Sequence, residues 1–181
     1  MSQLYVEDIS FGDVCASAYD VSIFCCGYEE RCTYLSSVLD RPLMGDMLVF
    51  DFSDEKLDER GIRDKNESFF KRVSGGLIEV SYGQAHVVVE SLRQAIERLI
   101  FVGRKSAVIL VDYSSMPKLW TAEILNFFKN YSAEIDLVFD FIYSVGEHVY
   151  SDRPRQLREP IVLPGCEAVE IGRASCRERV S

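Results

Sequence analysis

Residues 107–112, Ala-Val-Ile-Leu-Val-Asp, are apolar at every position but the last. Successive side chains of a strand point to opposite faces, so a run of this kind buries both faces at once. That happens where helices cover a parallel sheet from both sides, and much less often in a one-sided antiparallel sheet. Four further runs share this character: residues 21–26 (Val-Ser-Ile-Phe-Cys-Cys), 46–52, 77–81 and 135–144. Between them lie longer amphipathic or charged stretches. In residues 84–102, Ala85, Val88, Val89, Leu92, Ile96, Leu99 and Ile100 recur at helical spacing, with Glu90, Arg93, Glu97 and Arg98 on the other faces. Residues 30–39 and 119–131 read as two more helices. A fourth is expected at 65–73, the better half of a charged stretch interrupted by Gly61, with Ser53 or Asp54 capping that stretch. The alternation of strand and helix, joined by right-handed crossovers, predicts a three-layer α/β domain over residues 1–150. Its five-stranded, mainly parallel sheet is expected in the order 3-2-1-4-5, with a short leading element in the first twenty residues.

The C-terminal part of the sequence reads differently from this core. After Gly146 the chain turns rich in proline and arginine, with Pro154, Pro160 and Pro164, and residues 151–169 read as a connector. Residues 170–181, Glu-Ile-Gly-Arg-Ala-Ser-Cys-Arg-Glu-Arg-Val-Ser, match the translation of a short-read sequencing adapter and are set aside from fold reasoning. On this reading the natural chain continues past Val169, as part of a larger prokaryotic protein.

Charge and cysteine usage narrow the partners. Twenty basic residues face 29 acidic ones, a net charge of −9, and the discarded tail holds more arginine than glutamate, so the rest is no less acidic. Such a surface repels nucleic-acid backbones, and nucleic acid is disfavoured as a direct partner. Cys15, Cys25, Cys26, Cys32 and Cys166 show no paired C-x2-C spacing, so no metal site is expected. Cys25 and Cys26 are adjacent in an apolar run, where a strand sends them to opposite faces as buried reduced thiols. There is no signal peptide and no apolar run of membrane-spanning length, and the chain reads as cytoplasmic. A second copy of the chain is a further candidate partner.

In an open parallel sheet, ligands bind beyond the carboxyl ends of the strands, where the strand order reverses. For the order 3-2-1-4-5 that crevice lies between strands one and four. The loop after strand one is Gly27-Tyr28-Glu29-Glu30-Arg31-Cys32. Gly27 lets backbone amides approach a ligand, Arg31 suits a phosphate or carboxylate, and Tyr28 suits stacking on a base. Equally, two glutamates in a first turn complement a helix dipole, and Arg31 then pairs with one of them. The loop after strand four is Asp112-Tyr113-Ser114-Ser115-Met116-Pro117-Lys118. Asp112 closes an apolar strand and needs a partner, Ser114 and Ser115 offer hydroxyls, Pro117 suits a first helical turn, and Lys118 adds charge. The competing reading is an Asp-Ser capping cluster that organises the turn. Strand five runs out at Tyr143-Ser144-Val145-Gly146-Glu147-His148, where Glu147 and His148 are acid–base candidates and Glu147 is also placed for a ribose. Asp140, in mid-strand, is a bulge, an edge residue or a buried partner for an arginine, and His86 reads as structural. No G-x-G-x-x-G, Walker loop, G-x-S-x-G elbow or H-E-x-x-H is present, so no cofactor is expected.

Residues 111–118, Val-Asp-Tyr-Ser-Ser-Met-Pro-Lys, resemble the D-x-T-x-G-x-K loop of CARF domains, with Ser115 or Met116 replacing the threonine and glycine pattern. That resemblance implies a Rossmann-like sensor of nucleotide-type ligands in prokaryotic defence, with Gly27, Tyr28, Arg31, Asp112, Ser114, Ser115 and Lys118 around the ligand. Residues 23–31 are similar to the opening strand and loop of TIR domains. Residues 115–123 are similar to their S-x-W-x-x-x-E segment, with the glutamate, Glu123, one position early and the Ser–Trp spacing longer. That likeness implies a nucleotide or NAD glycohydrolase with Glu123 as the acid, or Glu147 in an enzyme of related chemistry. The leading expectation is a ligand-sensing domain for a nucleotide-like or phosphorylated small molecule. The hydrolase and a purely structural interaction domain stand as alternatives.

Overall fold

The computed structural model describes residues 7–52, 61–131 and 135–145; Ser53, Asp54, Glu147, His148, the connector and the tail lie outside them. Five strands, β1 (Val21–Cys26), β2 (Asp46–Phe52), β3 (Ile78–Val80), β4 (Ser106–Asp112) and β5 (Asp136–Ile142), form one parallel sheet in the order β3-β2-β1-β4-β5. Helices α1 (Phe11–Ala16), α2 (Tyr34–Val38), α3 (Ile62–Ser74), α4 (Ala85–Phe101) and α5 (Lys118–Asn130) cover it. The result is a Rossmann-like α/β fold, as the alternating sequence pattern predicts.

Each face of the sheet has its own core. Ile23, Cys25, Phe50, Ile109 and Val111 pack with Val88, Leu92 and Ile96 of α4 and Trp120 and Ile124 of α5. On the opposite face Phe24, Cys26, Val49 and Leu110 pack with Val14 of α1, Leu35 of α2 and Phe70 of α3. Cys25 and Cys26 therefore fall in different cores, as the two-residue period of a strand requires. Burial pushes the Cys25 thiol well above its ordinary value and the Cys26 thiol up to about 12. Thiols so far from ionisation are poor nucleophiles. Among the described residues, no helix is long and apolar enough to cross a membrane.

Three local expectations change. Residues 30–39 are not one helix but a 3-10 turn, Glu30–Thr33, followed by the five-residue α2. Helix α3 begins earlier than expected, directly after Gly61, whose left-handed φ of 63° starts the helix. Strand β5 is apolar in sequence, yet Val138 is 53% exposed because β5 lies at the sheet edge. Asp140 is accordingly an edge residue, and after burial its negative charge helps to push the Tyr19 hydroxyl well above its ordinary value. His86 is exposed at the start of α4.

One turn carries unusual backbone. Gly45, just ahead of β2, has φ 57° and ψ −140°, and lies against the Tyr19 and Asp20 carbonyls that precede β1. The Tyr19 amide donates to the Leu43 carbonyl at 2.7 Å and the Asp46 amide to the Asp20 carbonyl at 3.0 Å. These two bonds hold the starts of β1 and β2 in register.

Candidate functional site

The sheet opens where its order reverses. The β1–β4 ladder runs only from Val21 opposite Ile109 to Ile23 opposite Val111. Beyond that point β1 stays paired with β2 as far as Cys26 opposite Asp51, and β4 stays paired with β5 as far as Asp112 opposite Ile142. The two middle strands thus part by following their outer partners, and their loops flank a crevice at the carboxyl edge.

Two loops and the end of β5 meet across it. A Cβ at Gly27 would lie 3.5 Å from the Ser115 Cβ, in ordinary contact, so the strand-one and strand-four loops touch here. Gly27 makes its turn without positive φ, so close approach and not backbone strain is what a small residue serves there. Arg31 extends over the gap. Its Nε donates to Glu29 Oε2 at 2.5 Å, and its Nη1 donates to the Tyr143 hydroxyl at 2.6 Å and the Ser144 carbonyl at 3.3 Å. The guanidinium also lies over the Tyr143 ring, 4.9 Å from its centroid, a cation–π contact. The Ser115 hydroxyl donates to the same Glu29 Oε2 at 3.3 Å. Glu29 and Arg31 together join all three strand ends, and of the two sequence readings of Arg31 the pairing with a glutamate is present in the structure.

Beneath this bridge Asp112 is only 3% exposed. Its Oδ1 accepts from the Ser114 amide at 3.0 Å and from the Ser114 hydroxyl. Burial pushes the carboxyl up to about 6, against the two Ser114 hydrogen bonds and the Arg31 charge, which pull it down. The Ser114 hydroxyl in turn accepts from the Ser144 amide at 2.7 Å, tying the β4 and β5 ends together. Ser114 is therefore occupied within the protein, matching the capping reading of its hydroxyl. Ser115 and Tyr28 are partly exposed, and Lys118 is exposed at the first turn of α5.

Four residues that sequence reasoning passed over complete the surroundings. Asn66 of α3 donates from Nδ2 to the Gly27 carbonyl at 2.8 Å and the Glu29 carbonyl at 3.1 Å, setting the path of the first loop. Arg63, one turn earlier, donates from Nη2 to Asp51 at the end of β2 at 2.8 Å, and its guanidinium lies 5.7 Å from the Tyr28 ring centroid. Tyr143 completes the Arg31 bridge. A signal existed for Asp51, a charged residue one position before the end of a largely apolar strand. The inner face of α3 carries Arg63, Asn66 and Phe70, so its first two turns present no apolar stripe for periodicity to find.

The Asp51–Arg63 pair is a buried ion pair. Burial raises the Asp51 carboxyl, with Arg63 pulling the other way. Arg63→Met leaves that carboxylate without its main counter-charge and should cost about 3 kcal/mol, with Asp51→Asn added on top recovering most of the loss. A double-mutant cycle by urea unfolding measures this. Coupling below about 0.5 kcal/mol would put the pair in the class of solvent-screened surface bridges.

Glu123 stands apart from these groups. It lines an open groove of about 350 Å³ between α4 and α5, with Arg93, Asn126, Phe127, Asn130 and Tyr131. The crevice does not bring it together with Asp112 or Arg31. Glu147 lies outside the described residues. Among the described residues, no cluster of three or more metal-ligating side chains is found. In comparisons with known proteins, no family model, curated protein or solved structure matches the chain.

Proposed function

We propose that this domain binds a nucleotide-like or phosphorylated small molecule at the β1 and β4 loops and serves as a ligand sensor. The observation that carries the reading is the meeting of three strand ends on the Glu29–Arg31 pair at the point where the sheet order reverses. An anionic group arriving at Arg31 competes with the Glu29 carboxylate for the guanidinium, and Lys118 adds positive charge at the rim. Drawing Arg31 from Tyr143 and the Ser144 carbonyl alters the end of β5, so occupancy is passed on to the chain that follows. Glu29 and Glu30 oppose simple anion binding, which favours ligands that also stack on Tyr28 or Tyr143 over bare phosphate. The resemblance of residues 111–118 to the CARF loop points the same way. A glycohydrolase built on Glu123 would work in the α4–α5 groove and would leave these loops unused.

Thermal unfolding with a panel of mono-, di- and cyclic nucleotides and inorganic phosphate tests the proposal. A ligand present at about a hundred times its Kd adds about 2.7 kcal/mol of apparent stability, a rise of several degrees for a domain of this size. Arg31→Ala is expected to weaken the response about tenfold or more, and Lys118→Ala to weaken it less and in a salt-dependent way. Responses unchanged in both variants place the ligand elsewhere. Consumption of NAD, lost in Glu123→Gln, would favour the hydrolase instead.

A further inference from the structure

One acceptor at the β4 end has no partner among the described residues. Asp112 Oδ1 takes both bonds from Ser114, while Oδ2 is buried and meets no hydrogen-bond partner among the described residues. Buried carboxylate oxygens are nearly always satisfied, and one left alone at the end of a strand calls for a donor that the described residues do not supply. The neighbouring donors are engaged elsewhere: the Ser114 hydroxyl on Asp112 Oδ1, the Ser115 hydroxyl on Glu29, and the Asn66 amide on the Gly27 and Glu29 carbonyls. Arg31 is directed to Glu29, Tyr143 and Ser144. The β1–β4 ladder has already ended at this level, so no strand amide of that pair reaches the oxygen either.

The chemistry of the surroundings selects the missing donor. A phosphate or carboxylate is anionic at neutral pH and is repelled by Asp112. An ammonium is repelled by Arg31, whose charge acts on Asp112. A neutral hydroxyl meets neither objection. We propose, resting on the reading of this crevice as a ligand site, that Asp112 Oδ2 accepts from a sugar hydroxyl. The ligand then carries a ribose or similar polyol with its phosphate directed to Arg31. A site built to bond a hydroxyl rejects an analogue lacking it far more strongly than an apolar pocket does, because the buried acceptor is again left alone.

Titration calorimetry of the full chain with adenosine 5′-monophosphate, its 2′,3′-dideoxy analogue, ribose 5-phosphate and inorganic phosphate tests this. The dideoxy nucleotide is expected to bind at least tenfold more weakly than its parent, and Asp112→Asn to reduce that preference to threefold or less. Circular dichroism verifies that the variant folds, and the comparison of the two nucleotides on the wild-type chain stands without it. Equal binding of the two nucleotides, a preference kept in Asp112→Asn, or binding of phosphate without either sugar compound overturns the hydroxyl assignment and leaves the crevice as an anion site. Binding of none of the four, together with no response to the wider nucleotide panel, overturns both.

Discussion

Gly45→Ala is expected to destabilise the fold by about 3–5 kcal/mol, as glycine-only backbone strain and forced overpacking add together. At φ 57° and ψ −140° the residue occupies backbone space that a side chain does not tolerate. A Cβ there would stand well inside contact distance of the Tyr19 and Asp20 backbone carbonyls. Those carbonyls cannot swing aside, because the Asp46 amide bonds to the Asp20 carbonyl and the Tyr19 amide to the Leu43 carbonyl. Gly75 supplies the control. It too has positive φ, 82°, but a Cβ there meets nothing within 4 Å. Gly75→Ala should cost only the left-handed penalty, about 1–2 kcal/mol. Urea unfolding of both variants separates close approach from backbone conformation. Equal losses would show that the chain before β1 can move away, and that the Gly45 turn does not hold β1 and β2 in register.

Asp112→Asn should stabilise the protein at neutral pH while leaving it nearly unchanged at pH 4. The folded-state carboxyl sits at about 6, against an ordinary value of 3.8. A carboxyl raised in this way stabilises the fold when protonated. Its contribution is complete below about pH 4 and is lost as pH rises through 6. A displacement of about two pH units corresponds to about 3 kcal/mol at most. Asparagine keeps an oxygen for the Ser114 amide and hydroxyl and introduces no charge. The variant's advantage over wild type should therefore grow between pH 4 and 7 and then level off. Other carboxylates titrate too: Asp51, raised by burial, responds in the same sense, and Glu67, held low mainly by its Lys71 hydrogen bond and lifted in part by burial, in the opposite one. Taking the difference between variant and wild type at each pH removes their contribution. A difference that does not change with pH would mean that Asp112 titrates as an exposed carboxylate does.

The same residue shows how far sequence reading carries. Asp112 was recognisable because a charged residue closes an otherwise apolar strand, and a strand buried on both faces cannot hide a carboxylate without partners. Its partner Ser114 was recognisable as an Asp-Ser turn. Asp51, one residue before the end of β2, was less recognisable, because its counter-ion Arg63 lies in a charged stretch without an apolar stripe. Residues 30–39 misled for a related reason. The composition suits a helix, but the Asn66 side chain binds the Gly27 and Glu29 carbonyls, and Arg31 is drawn across to Tyr143. Contacts 37 to 112 residues apart in sequence outweigh a local preference of a few tenths of a kcal/mol per residue.

What the sequence alone determined is the strand and helix alternation, the parallel order of the sheet and the edge at which loops collect. These follow from the period of the apolar residues and from the handedness of crossovers, both local and repeated along the chain. Tertiary structure alone decided that Glu29 and Arg31 together bridge three strand ends, that Glu123 turns into a different groove, and that one oxygen of Asp112 meets no donor among the described residues. Those outcomes depend on where distant side chains meet once the two middle strands part, and no spacing within one segment encodes that.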